Sequence, residues 1–415
     1  MESRNVTFLG EEFPVFWEEA SGCNVRDVDG NQYLDLTAAF GVALAGHSHP
    51  RLTAAVAEQA HRLIHGMGDV HPPELKLALL ERLTELAPWK DARAVLASSG
   101  SEAIEIALKT SLLATGNPGI LAFAGGYHGL TLGALAATER EFFRHPFESR
   151  LYGGVVRAPY PTDRDGPAAL GAALDFVEEA FSRGAPGGDR IGAVVIEPVQ
   201  GRGGARLPAQ GLLPGVAERA RAAGALIVHD EVLTGFGRTG KLFAHEHENV
   251  VPDLLCVGKA LGGGLPTSAC LGPRSVMDAW PESEGEAMHT STFLGHPLGC
   301  AATLAFLDVL VDEDLVQRSA AVGRTILTGL TRGLEGVDGV LEVRGRGLLM
   351  GVELAGRGSA ATLTQWALRE GLLLLPAGER GDVVELTPSA TLSEVQIDHA
   401  VSGVCEVVLR WARAQ

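Results

Sequence analysis

Short, nearly unbroken apolar runs punctuate the middle of the chain. They are ARAVLAS at 92–98, IGAVVIEP at 191–198, GALIVHDEV at 224–232 and the four residues Leu254, Leu255, Cys256 and Val257. Runs of this length without polar alternation fit strands buried on both faces. Helical stretches separate them from about Arg51 onward, the βαβ rhythm of a largely parallel sheet. In GSEAIEIALKTSLLATG (100–116), Ile104, Ala107, Leu108 and Leu112 fall on one helical face, and Gly116-Asn117-Pro118-Gly119 stops the helix. The opening stretch 25–50 reads as a hairpin turning at Asp29-Gly30, then a glycine-rich approach to Pro50. After residue 300 the pattern predicts one long helix over 301–335, then LEVRGRGLLMGVEL (341–354) with a strand-like tail. GLLLLPAG and DVVELTP follow as strands, and an amphipathic helix closes the chain. We therefore expect an α/β protein in three parts: an N-terminal segment (1–50) that completes a smaller α+β domain, a large domain (51–300), and the C-terminal small domain (301–415). No serine- or proline-rich linker and no internal repeat separates them, so close packing is expected.

Composition changes this picture little. The 415 residues are 46% hydrophobic and 20% charged, and the 53 glycines imply many tight turns and close backbone approaches. A formal net charge of −17 argues against nucleic acid or an anionic membrane as partner. Cys23, Cys256, Cys270, Cys300 and Cys405 are scattered, odd in number and free of CxxC spacing, which fits a reducing compartment and offers no zinc site. No apolar leader follows Met1 and no stretch is long enough to span a bilayer, so a cytoplasmic location is expected.

The chemistry concentrates around DLLCVGKALGGGLP (253–266). Lys259 stands between an apolar run and a Gly-Gly-Gly turn. A lysine stem lying along a strand end with its amine in solvent is one reading. A buried lysine is the other: burial disfavours the ammonium, and the neutral amine is a nucleophile for carbonyls. Three further segments suit a carbonyl cofactor with an anionic tail. SSGSEA (98–103) puts Gly100 and Ser101 at a helix N-terminus that favours an anion. Asp230 closes an apolar strand, where its carboxylate needs a cationic partner such as a protonated ring nitrogen. GGYHGLT (125–131) places Tyr127 among small neighbours that admit a flat ring, and Glu197 ends another apolar strand.

In this order the segments resemble the class III pyridoxal-phosphate aminotransferases of fold type I, including the ω-amino acid and amine transaminases. The resemblance runs through DVDGNQYLDL, GHSHP, SSGSEAIEIALK, GGYHG, VIEPVQGRGG, DEVLTGFGRTG, PDLLCVGKALGGGLP, STFLGHPLGCAA and RGRGLLMGVEL. It implies a large domain around a mostly parallel seven-stranded sheet, and pyridoxal 5'-phosphate held covalently by Lys259, which also moves the substrate proton. It further implies that Asp230 pairs the ring nitrogen, Tyr127 and Val232 cover its two faces, and Gly100 and Ser101 hold the phosphate. The resemblance also implies that His128 and Glu197 are cofactor-binding residues. Thr292, in STFLGHP, would reach the phosphate of a neighbouring subunit, which implies a homodimer with shared active sites. The reaction implied is ping-pong amino transfer to a keto acid. Racemisation or decarboxylating transamination by nearly the same site is the alternative.

Four positions depart from the ornithine, acetylornithine and 4-aminobutyrate branch of that family. Leu130 replaces an arginine, Leu233 a glutamine, Arg202 a glutamate and Glu385 an arginine. The last two are complementary, and we expect Arg202 and Glu385 to form the branch's ion pair with the charges exchanged. Phe40 and Leu130 would make an apolar wall, Arg202 would take a keto-acid carboxylate, and Glu385 a distal ammonium. An amine or ω-amino acid donor is therefore expected.

Two patterns point elsewhere. GFGRTG (235–240) matches a dinucleotide fingerprint, but no ribose-binding acid follows at the required distance. His47/His49 and His245/His247 lack HExxH spacing, and i,i+2 histidines do not share a helix face, so no metal site is expected.

Overall fold

The computed structural model describes residues 15–415. The stretch read for a leader lies outside the described residues. Three of the apolar runs form the middle of a seven-stranded sheet, in the order Ala92–Ala97, Ser268–Pro273, Leu254–Val257, Leu226–Glu231, Ile191–Ile196, Gly119–Phe123, Val155–Ala158; the fourth, Ala92–Ala97, is an edge strand with a neighbour on one side only, and contrary to expectation it is only partly buried. Ser268–Pro273 runs antiparallel to both neighbours, and the other pairings are parallel. Leu254–Val257 and Ile191–Ile196 are buried at every position, as strands covered on both faces must be.

The strand ends position the site. Asp230 and Glu231 close one strand, Glu197 follows another, and Lys259 stands two residues beyond a third. The helix Gly100–Thr115 starts beside them, capped by the Ser99 hydroxyl, which accepts from the Glu102 amide, and it ends at Gly116 with φ 67°. Its buried face differs in part from the sequence expectation. Ile104 and Ala107 are buried, but Leu112 is 47% exposed, and Ala103, Ile106 and Thr110 turn inward instead. Contact with strands on one side and the Leu132–Ala137 helix on the other rotates the buried face away from the simplest stripe.

Two smaller four-stranded sheets flank this body. Asn24–Asp27 and Gln32–Asp35 form the expected hairpin, with Gly30 at φ 86° and the Asp27 carboxylate accepting from the Asp29 and Asn31 amides. Gln32–Asp35 then pairs in parallel with Leu372–Leu373, so the two ends of the chain share one sheet. The expected helix 301–335 is two helices, Pro297–Asp312 and Leu315–Leu334. They part at Asp314, whose φ of 52° is left-handed, in the acidic run Asp312-Glu313-Asp314. Segment 341–354 is likewise a hairpin, Val340–Arg346 and Leu349–Leu354, turned at Gly347. A side chain at Gly347 would meet the backbone of Thr239 at 2.4 Å, so glycine lets the small unit press on the loop after Asp230.

Candidate active site

Lys259 follows a completely buried strand and adopts φ 47°, a backbone strain that a non-glycine residue holds only where its surroundings impose it. Burial pushes its amine below the ordinary lysine range, against the opposing fields of Glu385, Asp230 and Glu197. Its amine forms no hydrogen bond or ion pair among the described residues, so the nucleophile is free. The residue is half-buried, with its amine withdrawn into the cavity, which favours the buried reading over an amine standing in solvent.

A cavity of about 360 Å³ opens at Lys259. Ser98 to Ser101 line one end, Tyr127 to Leu130 and Val232 the flanks, and Asp230, Glu197, Leu233 and Arg202 the remainder. The structure thus brings Gly100, Ser101, Tyr127, His128, Leu130, Glu197, Arg202, Asp230, Val232 and Lys259 to one place. It does not bring Phe40, Thr292 or Glu385 to the lining. Phe40 is 65% exposed at φ 62°, next to Gly41, where an added side chain would meet Leu233 at 2.6 Å. Thr292 is exposed beside the 65–70 segment. Glu385 lies just behind the lining, buried, its carboxylate acting on Lys259, Arg202 and Arg238.

Buried polar groups on the deep side are engaged. The Asp230 Oδ2 stands 2.8 Å from His128 Nδ1, and its Oδ1 accepts from the Val232 amide. Burial opposes a charge on His128, but the hydrogen bond to Asp230 and that carboxylate's field outweigh it and raise the imidazole pKa. His128 therefore braces Asp230, with its Nε2 left without a partner. Glu197 accepts from the amides of Tyr127 at 2.8 Å and Gly201 at 2.9 Å, and burial pushes its carboxyl up to about 7.

The phosphate end differs from the simplest expectation for Ser101. Its hydroxyl stands 2.6 Å from the Thr131 hydroxyl and accepts from the Thr131 amide, while the Thr131 hydroxyl donates to Glu105. The Ser101 proton is thus committed to Thr131, and what remains for an anion is the amides of Gly100 and Ser101 at the helix start. A side chain at residue 100 would meet Val232 at 2.6 Å, so glycine is required where Val232 closes in.

The exchanged ion pair does not close. No contact within 4 Å joins Arg202 and Glu385. Arg202 instead donates to the Pro376 carbonyl at 3.2 Å, and its own carbonyl accepts from the Gly378 amide. Both ends of Arg202 are held by the 376–378 loop, which draws the guanidinium away and leaves Glu385 Oε2 buried without a partner. Leu233 packs against Gly41 and Gly201 and brings no hydrogen bond.

Sequence reading missed Arg238, set aside within GFGRTG. It is fully buried and donates to the carbonyls of Gly41, Leu348, Thr387 and Pro388, joining the N-terminal segment, the large sheet's loop and the small unit beneath Lys259. An arginine among glycines directly after DEV was the available signal. His245 and His247 do not act together, as expected, but the structure adds what the spacing did not show: His245 lies with Glu231, beside His229. Glu231 already accepts from the amides of Ala244 and His245 and from the Thr234 hydroxyl, so its carboxylate is spent on fastening this loop.

An unpartnered buried amine, a braced carboxylate facing the same cavity, an aromatic flank and free helix-start amides fit pyridoxal phosphate. The Aminotransferase class-III model matches residues 9–408. The acetylornithine aminotransferase of Methanopyrus kandleri is 36% identical over 396 residues, covering 95% of each chain. The 4-aminobutyrate aminotransferase of Mycobacterium leprae is 34% identical over 405 residues, covering 93% of this chain and 89% of that one. An amine transaminase from an uncultivated Pseudomonas species, solved with pyridoxal phosphate bound, superposes with a TM-score of 0.89 at 29% identity over 99% of both chains. Fold, site chemistry and full-length similarity agree: this chain belongs to the class III aminotransferases, enzymes that move an amino group to a keto acid with pyridoxal phosphate.

Proposed function

We propose that the donor is an amine or ω-amino acid, and that Lys259 is the residue that binds the cofactor and moves the proton. The observation that carries the donor reading is the unpaired, buried Glu385 carboxylate behind a cavity whose mouth has Leu130, 50% exposed, where related enzymes carry an arginine. A donor held by an apolar wall and a carboxylate suits this pocket better than one requiring that arginine.

When bound, pyridoxal phosphate supplies a carbonyl carbon for the amine and a conjugated ring that accepts the electrons of a substrate carbanion. With the cofactor bound, Lys259 Nζ would take the proton from the carbon that bears the amine, and burial, which lowers its pKa, favours the neutral form this role needs. Asp230, braced by His128, would pair with the protonated ring nitrogen. Tyr127 and Val232 would confine the ring, and the amides of Gly100 and Ser101 would receive the phosphate. Arg202 takes the keto-acid carboxylate in the second half of the cycle.

The same reading makes the enzyme a cytoplasmic homodimer, divided at about residues 50 and 300. In its support, Ile64, Met67 and Phe293 are exposed apolar residues clustered beside Thr292, a surface suited to a second copy. All five cysteines are buried and free. The sharing of one sheet by Gln32–Asp35 and Leu372–Leu373 supports assigning the N-terminal segment to the small domain.

The test follows the visible absorption of the holoenzyme as single donors are added: a diamine, β-alanine, 4-aminobutyrate, ornithine and an aryl alkyl amine. The reading requires the cofactor band to bleach with an amine or ω-amino acid and to return with a keto acid. A band unmoved by the whole panel would refute it and favour racemase or decarboxylase chemistry, which product analysis then separates.

A further inference from the structure

Glu105 stands one turn after Ser101 on the same face of the helix Gly100–Thr115. Its carboxylate has no cationic partner among the described residues, and its hydrogen bonds all reach the segment that follows Tyr127. Glu105 Oε1 accepts from the Thr131 hydroxyl at 2.6 Å and from the amides of Gly133 at 2.9 Å and Ala134 at 3.2 Å. Those amides open the helix Leu132–Ala137, and Thr131, its N-cap residue, makes no capping bond with its own side chain. Glu105 therefore caps that helix from another one. The fit is close: a side chain at Gly133 would run into the Glu105 carboxylate, and one at Gly129 into the Ser101 hydroxyl.

An ionised carboxylate can only accept, so Glu105 sets the direction of the whole chain of hydroxyls. Thr131 donates to Glu105, Ser101 donates to Thr131, and the Thr131 amide donates back to Ser101. Residue 101 is left to meet an anion through its amide. The other end of the same segment has anchors of its own. The Tyr127 amide donates to Glu197, the His128 amide to Thr138, and the His128 ring is held by Asp230. Glu105 thus governs only the Gly129–Thr131 end, which lies against the helix start, and the ring face is held by other groups.

We propose that Glu105 is a positioning residue for the cofactor's phosphate, which acts by fastening Thr131 and, through it, Ser101, so that the helix-start amides are fixed before the anion arrives. It touches neither cofactor nor substrate. Through space its negative charge repels a phosphate, so the bonds it makes and the charge it carries have opposite effects on phosphate binding, and the sign of the change on its removal tells them apart. The proposal rests on the reading of Gly100 and Ser101 as the phosphate site, and not on the identity of the donor.

The experiment titrates pyridoxal phosphate, and pyridoxal, which lacks the phosphate, into the full-length cofactor-free protein and follows visible absorbance. In Glu105→Ala the Kd for pyridoxal phosphate should rise about tenfold, the worth of one hydrogen bond to a charged group, while that for pyridoxal changes less than about twofold. Glu105→Gln loses the charge but keeps an acceptor for Thr131, and should stay within about threefold of the unsubstituted protein for both ligands. Should the alanine variant not fold, Thr131→Val, which deletes only the hydroxyl between Glu105 and Ser101, should weaken pyridoxal phosphate alone and by a smaller factor. Unchanged or tighter binding of pyridoxal phosphate in Glu105→Ala, equal weakening of both ligands, or a glutamine variant as weak as the alanine one overturns the proposal. Failure of the underlying phosphate reading looks different: the unsubstituted protein would then bind the two ligands alike.

Discussion

The two ends of the cavity are built on opposite principles. On the deep side, the Asp230, Glu197 and Ser101 side chains all have partners: His128 and the Val232 amide, the amides of Tyr127 and Gly201, and Thr131. On the substrate side, Glu385 Oε2 is buried without a partner and the Arg202 guanidinium holds only a carbonyl. Apart from His128 Nε2, which has no partner, this network is saturated, which suits a cofactor that stays, since each group is fixed before the chemistry begins. Unspent charges suit substrates that come and go, because the protein has left the complementary half of each interaction to the ligand.

The sharpest way to break this contrast is to remove a charge from the saturated end. Asp230→Asn keeps the shape and the amide contact but loses the carboxylate that His128 braces. Turnover should fall about 10²–10³-fold, as when a preorganised electrostatic partner is removed, and steady-state rates on the best donor of the panel check it. A loss below tenfold would mean that Asp230 is structural.

At the unsaturated end effects should be selective and smaller. Glu385→Ala is expected to lower diamine turnover roughly tenfold more than monoamine turnover, the worth of one hydrogen bond to a charged group. Side-by-side kcat/KM values decide it, and equal losses would remove the ammonium role.

The smallest effect is a stability slope. The carboxyl of Glu197 is raised by burial from 4.5 to about 7, so below pH 4.5 folded and unfolded chains are both protonated there. As pH rises from 4.5 to about 7 the unfolded chain loses this proton first. Its contribution to stability therefore falls across that window by at most about 1.4 kcal/mol per pH unit and is level above it. Urea midpoints of the cofactor-free protein across the window should flatten in Glu197→Gln, and an unchanged slope would assign the pH dependence elsewhere.

Four of the seven strands of the large sheet, the helix starting at Gly100, the hairpin at Asp29-Gly30 and the group Asp230, Tyr127 and Lys259 were legible in the chain. Each depends on local pattern, and their order along the sequence survives folding because parallel strands deliver their C-terminal ends to one edge. What only the tertiary structure decided involves residues brought together from distant segments. The break at Asp314 depends on two helices packing differently, and the Ser101 hydroxyl is claimed by Thr131, 30 positions away. Arg238 becomes a hub because four carbonyls from three segments converge on it. Arg202 and Glu385 read as a complementary pair, yet the loop at 376–378 holds the arginine elsewhere. Charge complementarity is visible in a sequence, but distance and competing hydrogen bonds are properties of the folded chain, and at this site they decide which charges are left for the substrate.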